Sequence, residues 1–458
     1  MPRMERLFRE DALMNPTLQI THLPYQEDPL GYFGALRDRP GAVLLDSGRP
    51  AAPGGRYDIM SSDPLSLLTL DEPADDPTRN SPTPFDTQQT LLDRLPRNVP
   101  DSDLPFLGGL IGYWSYDLSC HQESIAGRAR RVVGLPSSRV GLYDWALIQD
   151  HHERASWLVA TPERRTQVLA LLERRLAPPA GFRLIEPFSA ELTREAYLAR
   201  FDAVQRYIRD GDCYQINLSQ RFSAPFQGDL WNAYRRLRLA TPTPFAAFLA
   251  WDDKAILSLS PERFLRCHDG KVEARPIKGT RPRGLTPKQD RQLADALLTS
   301  LKDRAENVMI VDLLRNDLGR VCRPGSIQVP QLCALESYAN VHHLVSVVTG
   351  ELRQHQRPLD LLAAAFPGGS ITGAPKVRAM QIIDELEPSR RSAYCGSLGY
   401  VDVRGRMDTS IAIRTAVADR GRLHLWGGGG LVADSRGEDE YDETLDKIRH
   451  LMSALAEE

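Results

Sequence analysis

Apolar residues recur along this chain with two different periods, and the change of period marks out its elements. Tyr197, Phe201, Val204 and Ile208 stand at helical spacing with Gly211 just beyond as a C-terminal cap, so the pattern predicts an amphipathic helix. After it, "CYQINLSQRF", "FAAFLAW", "AILSLS" and "FLRCHDGKVEARPI" alternate in the manner of half-buried strands. The Asp269-Gly270 pair is a strong signal for a two-residue hairpin loop, and counting outward from it puts Glu262 opposite Ile277 and beside Lys278. Late in the chain "GYVDV", "SIAIRTAV" and "LHLW" predict more strands joined by Arg-Gly turns. Within "SIAIRT", alternation turns Arg414 away from Ile411 and Ile413, toward solvent or toward an anion that its fork could grip.

Two breaks interrupt the pattern. Seven prolines between Asp71 and Pro105 predict loop around one short helix near Asp86. The stretch "LPFLGGLIGYWSYDL" that follows reads as a buried strand passing close to another backbone. At "LAPPAGFRLIEP" a second break divides residues 1–185 from residues 186–458. Hairpins outnumber strand-helix alternation, so the fold class is α+β with largely antiparallel sheets.

Composition removes several function classes. Lys and Arg number 57 against 60 Asp and Glu, a formal net charge of -3 that gives no reason to expect a nucleic-acid or membrane surface. Six cysteines are scattered without a CxxC pair or metal-ligand spacing, which suits a reducing compartment. No stretch approaches bilayer length, and "MPRMERLFREDALMNP" lacks the apolar core of a signal peptide, so a cytoplasmic location is expected.

Four constellations carry possible chemistry. Lys278 lies between Arg275 and Arg281 in "ARPIKGTRPRG", where like charges disfavour a protonated amine; with Glu262 alongside, it reads as an acid and nucleophile pair or as a plain salt bridge. Asp303 and Glu306 share one face of a predicted helix, and Glu440 and Glu443 share another with Lys447 one turn on. Carboxylates drawn from two helices suit a hard cation such as Mg²⁺ if the pairs meet, and are otherwise solvated faces. "WGGGGLVADS" and "FPGGSITGAPKVRAM" either present backbone amides to an anion or turn and pack tightly, and Ala374-Pro375 rules out a P-loop in the second. His343 reads as a pocket or core histidine. Neither a nucleophile-elbow serine nor a GxCxG cysteine is present, so no glutaminase site is legible.

From about Glu191 onward, "SPERF", "PIKGTRPRG", "KDRAENVMIVDLLRND", "FPGGSITGAPKVRAM", "GSLGY", "DTSIAIRT" and "GGGLVADS" with "EYDETLDK" resemble the chorismate-utilising enzymes in order. The nearest members make 4-amino-4-deoxychorismate for p-aminobenzoate and folate; residues 1–185 carry the likeness only in "VLLDSGRP", "GRYDI" and "GGLIGYWSYD".

That resemblance implies two antiparallel sheets packed together with flanking helices. It implies Mg²⁺ on Glu306 and Glu443, supported by Asp303 and Glu440. Chorismate would lie against Gln215, Thr280, His343, Thr372, Tyr400, Arg414, Lys447 and the amides of Gly428, Gly429 and Gly430. Glu262 would protonate the departing ring hydroxyl while Lys278 attacks the ring, after which ammonia displaces the lysine at the para carbon. Relatives that make anthranilate have alanine at this lysine position, and relatives that add water have a lysine base where this chain has Gln215.

Ammonia would come from a separate glutamine amidotransferase subunit, giving a heterodimer. Ser47, Arg56 and Tyr57 with Pro244, Phe245 and Ala246 would form a tryptophan pocket. Two other readings stay open: anthranilate synthesis, and a non-catalytic protein that binds an anionic metabolite or docks an amidotransferase.

Overall fold

Alternating apolar positions become two large sheets, in which every pairing between named strands is antiparallel. The protein is described from a computed structural model, which covers residues 17–52, 54–71, 82–123, 125–174, 176–338 and 341–457. Among the described residues one sheet has 13 strands and the other 10, and helices cover them, as an α+β fold requires.

Residues 1–185 and 186–458 are not separate bodies. In the larger sheet Val43–Asp46 pairs with Phe245–Trp251; in the smaller, Gly109–Trp114 pairs with Ser397–Asp402. The break near residue 185 is therefore a seam in the sequence and not in the sheets. The main core runs through both stretches, from Phe85, Phe106 and Trp114 to Leu314, Leu398 and Trp426.

Local signals act as the pattern predicts. The helix Arg194–Arg209 buries Tyr197, Phe201 and Val204 and ends before Gly211, whose φ of 81° only glycine adopts freely. The short helix Pro84–Leu92 opens on a Thr83 capping box, while residues 72–81 of the proline-rich stretch lie outside the described residues. Gly109 sits where a methyl would stand 2.2 Å from the Val401 carbonyl, the close backbone approach expected of this strand. Among the described residues no disulfide joins the cysteines, and no helix is long and apolar enough to cross a membrane.

The Asp269-Gly270 hairpin forms in the expected register, His268 facing Lys271 and Arg266 facing Glu273. Beyond Ala274 the chain leaves its partner, and the strand Ile277–Pro282 pairs along Val341–Glu351 instead. "SIAIRTAV" is not one strand. Met407–Ile411 belongs to the smaller sheet and Thr415–Asp419 to the larger, and Arg414 lies at the crossover with φ of 50°.

Candidate active site

Glu262 is fixed from several sides. Its amide donates to Ser260 Oγ and its carbonyl accepts from the Ile411 amide. Its buried carboxyl accepts from Ser370 Oγ at 3.0 Å and lies beside the Ile277 amide, so the counting from the hairpin gave the right neighbour although the ladder stops short of it. Burial pushes this carboxyl up to about 7, against the opposing pull of Ser370 and the Lys278 charge. A carboxylic acid poised there can give a proton near neutral pH.

Lys278 reaches into the same space. Its Nζ lies 3.7 Å from Glu306 Oε2, and a methyl on Gly430 would stand 3.2 Å from it. The flanking arginines do not crowd it, contrary to the reading of "ARPIKGTRPRG": Arg275 pairs with Glu336 and Arg281 pairs with Asp303. Each is neutralised by an acid elsewhere, because strand alternation and the bulge at Gly279 turn them to other partners.

Three of the four predicted acids meet. Helix Leu301–Gly319 presents Glu306 and helix Gly437–Ala456 presents Glu440 and Glu443; the charges of all three reach Lys302, whose Nζ is 3.4 Å from Glu440 Oε1. Burial raises the Glu306 carboxyl above its ordinary range, despite Lys278 and Lys302. Burial acts on Glu443 too, but Lys447 at 2.6 Å together with the charges of Lys302 and Lys278 lowers that carboxyl. Asp303 belongs to Arg281 and stands behind Glu306 rather than in the cluster.

Two observations test whether these residues fit Mg²⁺. Glu440 Oε2 is buried with no hydrogen-bond partner, and Gly429 leaves a gap whose filling methyl would meet Glu440 Oε2 at 2.9 Å and Glu443 Oε1 at 3.2 Å. Carboxylate oxygens gathered from two helices suit a hard cation that keeps substrate or water oxygens in its shell. Among the described residues no three acidic, His or Cys side chains already surround one point. The residues fit the ion, with Glu306 and Glu443 to hold it.

"WGGGGLVADS" is strand rather than helix start. Gly427 to Gly430 lie within Arg422–Leu431, paired in register with Gln215–Gly228. Gly427 lets the C-terminal helix approach, since a methyl would stand 1.9 Å from the Thr444 carbonyl. Lys447 donates to the Gly428 carbonyl at 2.7 Å, so that carbonyl turns away from the paired strand. Strand alternation then sends the Gly428 and Gly430 amides to the same open edge, where an anion can meet them. Gln215 is buried against Gly430, and both ends of its amide lack partners.

Arg414 has no acid partner among the described residues, and burial lowers its pKa with nothing acidic to offset that. Its charge reaches His343, which is buried, pushed down to about 4 chiefly by that burial, and held by Thr280 Oγ1 at 2.9 Å. His343 is thus a neutral imidazole. Thr372, fully buried, turns its hydroxyl back to the Gly368 carbonyl at 3.0 Å.

Tyr400 does not join the site. It lies on Ser397–Asp402 with its ring against Phe106, because the alternation of that strand points it into the core of the smaller sheet. Tyr394, which sequence reasoning passed over, stacks on Trp426 at 5.8 Å and approaches Ser219 opposite Gly428. Ser370 and Lys302 were also missed, although both stand inside quoted motifs, because neither residue type announces a role by itself.

The remaining predicted residues gather at a different corner. Ser47 donates through its amide and hydroxyl to Asp58 Oδ1 at 2.7 Å, and Asp58 also meets His151. Arg56 pairs with Asp150 and covers the Tyr57 ring, and Ala246 faces Asp46 across the sheet. Phe245 lies under Arg263, and the hydroxyls of Thr241 and Thr243, just before Pro244, are buried without partners.

A buried acid, an amine, an arginine without an acid partner and carboxylates from two helices around one cleft define an enzyme for a small carboxylated substrate. The chain belongs to the family of chorismate binding enzymes, whose profile matches residues 42–453. It is 47% identical over 450 residues to aminodeoxychorismate synthase component 1 of Salmonella typhimurium, covering 96% of this chain and 99% of the relative. With anthranilate synthase component 1 of Aquifex aeolicus it shares 36% identity over 462 residues, 94% of this chain and 92% of the other. The crystal structure of anthranilate synthase component I from Streptococcus pneumoniae superposes with a TM-score of 0.77 at 30% identity, covering 87% of this chain and 92% of that one.

Proposed function

We propose that this chain aminates chorismate to 4-amino-4-deoxychorismate for p-aminobenzoate synthesis, with ammonia from a component II amidotransferase and with Mg²⁺. Near-full-length identity to component 1 relatives supports the reaction class. One observation carries the choice within the family: Lys278 Nζ stands by Glu306 and Gly430 and within reach of the Glu262 carboxyl, where the ring of a substrate held at the carboxylates would lie.

When bound, Mg²⁺ neutralises the ring carboxylate and anchors it. Glu306 and Glu443 would hold that ion, and the Lys447 charge favours the ionised form of Glu443. Arg414 takes a substrate carboxylate in its fork, for which no acid among the described residues competes. The Gly428 and Gly430 amides add donors on the open strand edge. His343, uncharged, borders the ring without repelling the arginine.

Glu262, protonated below about pH 7, gives its proton to the ring hydroxyl as the carbon–oxygen bond breaks and water departs. In the same step the Lys278 amine forms a carbon–nitrogen bond to the ring, the ring double bonds shift toward the carbon that loses the hydroxyl, and the surplus proton on nitrogen passes to solvent. Ammonia then attacks the para carbon, the ring double bonds shift back, and the bond to Lys278 breaks with return of a proton to the amine. The corner around Ser47, Asp58 and Thr243 is the pocket for tryptophan, its buried unpartnered hydroxyls being the observation in favour.

Incubating the chain with chorismate, Mg²⁺ and an ammonium salt tests the reading. The expected product keeps its enolpyruvyl group and gains an amine; ring-aminated product that has lost pyruvate assigns the chain to anthranilate synthesis instead.

A further inference from the structure

The Glu262 carboxyl has two oxygens but one proton to give, and the loop Gly369–Ile371 decides between them. Ser370, itself 8% exposed, donates to Oε1 at 3.0 Å. That serine is not on a loose turn. Ile371 O accepts from Arg391 at 2.7 Å, and the same guanidinium reaches Asn217 O at 2.6 Å. Arg391 is 1% exposed, is held by both oxygens of Glu387 at 2.9 and 2.7 Å, and lies over the Tyr116 ring. Glu387 in turn accepts from the Ser219 amide at 2.8 Å, and the Asn217 amide donates to Thr372 O at 2.7 Å. One buried ion pair therefore ties the serine loop to the strand that carries Gln215.

We propose that Ser370 is a positioning residue that dictates which oxygen of Glu262 carries the transferable proton, and that the Arg391–Glu387 pair holds Ser370 in place for it. The proposal rests on Glu262 acting as the acid of the proposed amination. A hydroxyl that donates to Oε1 blocks that oxygen, so the proton sits on Oε2. On transfer, the Oε2–H bond breaks, the proton joins the leaving hydroxyl as water, and the electron pair stays on Glu262. The carboxylate so formed keeps the Ser370 hydrogen bond, now charge-assisted and about twice as strong. Ser370 thus acts twice, by aiming the acid and by holding its conjugate base.

The groups facing this carboxyl are Ser370 from the loop, the Ile277 amide, and Lys278 as the charged neighbour. Removing Ser370 takes away a donor to the ionised form, so titration moves upward from about 7.

The test compares wild type, Ser370→Ala, Ser370→Thr and Glu262→Gln. Infrared difference titration reads the carboxylic C=O band that Glu262→Gln abolishes, and steady-state rates are taken across pH with chorismate and ammonium. In Ser370→Ala the band's midpoint and the alkaline limb of kcat should both rise by about one pH unit, with kcat down about tenfold to a hundredfold and KM within about threefold. Ser370→Thr, which keeps the hydroxyl, should restore the limb and most of kcat. A midpoint that does not move in Ser370→Ala, or a kcat within about twofold of wild type, overturns the proposal. Glu262→Gln as active as wild type removes the acid role itself, and with it this proposal; an inactive Glu262→Gln beside a fully active Ser370→Ala removes only the proposal.

Discussion

Replacing Gly429 by alanine should damage the site while leaving the fold intact. The new methyl would stand 2.9 Å from Glu440 Oε2 and 3.2 Å from Glu443 Oε1, where ordinary contact begins at 3.4 Å. Both atoms end side chains, so the carboxylates yield rather than the backbone, and Glu440 has to recede by about half an ångström, the tolerance within which a working constellation is held. That movement disturbs the contact of Glu440 Oε1 with Ser435 at 2.6 Å. Because a misplacement of about 1 Å costs roughly a hundredfold, half of it should cost about tenfold in kcat/KM and a similar factor in apparent Mg²⁺ affinity.

Stability should move the other way. Gly429 lies in a strand outside the left-handed region, so alanine fits its backbone and removes glycine's freedom in the unfolded chain, which favours the fold by about 0.4–1 kcal/mol. Gly427→Ala is the contrast, since its methyl would meet the Thr444 carbonyl at 1.9 Å and only the helix backbone can yield. Thermal melts by circular dichroism and initial rates across a Mg²⁺ titration separate the two. A Gly429→Ala melt lowered by several degrees, or a Mg²⁺ response matching wild type, would refute the account of these carboxylates.

Other outcomes follow from the same geometry. Glu262 titrates near 4.5 when unfolded and about 7 when folded, so its contribution to stability is complete below pH 4.5 and disappears as pH rises through 7. Glu262→Gln should therefore gain up to about 3 kcal/mol over wild type between pH 5 and 8, read from denaturant midpoints; parallel pH curves would contradict this. Expressed per free ammonia, the wild-type rate should fall above about pH 7 as the acid form is lost. Lys278→Ala should lower the ammonium-dependent rate by about a hundredfold or more, and full activity would rule out an essential amine. Arg414→Gln should raise the KM for chorismate by about thirtyfold or more while raising the melting temperature, because a part-buried guanidinium without an acid partner costs stability; an unchanged KM would exclude it from substrate binding.

Much of this architecture was legible because its signals are local. The Asp269-Gly270 turn determines its own register, and helical spacing alone put Glu306 on one helix face and Glu440 with Glu443 on another. What sequence reasoning lost depended on distant partners. The arginines beside Lys278 looked like neighbours that would disfavour its charge until Glu336 and Asp303 were seen to hold them. Alternation through "SIAIRT" failed where the chain changes sheets at Arg414, a step that no period announces. Tyr400 ends "GSLGY" and Tyr394 stands just before it, and only the sheet decides which one faces the core and which one nears the glycine strand. Ser370 matters through one contact made across the fold, so no spacing rule could have singled it out.

The interleaving of the two stretches of chain in both sheets has a consequence for synthesis and for truncation. Phe245–Trp251 and Ser397–Asp402 each complete a neighbour from the first 185 residues, so a fragment lacking those residues would bare two long apolar edges and tend to aggregate. Glu443 stands on the helix Gly437–Ala456, so any product truncated before that helix lacks one of the carboxylates of the site. Prematurely terminated products should therefore be catalytically silent, and cells would meet them as substrates for proteolysis and never as half-active enzymes.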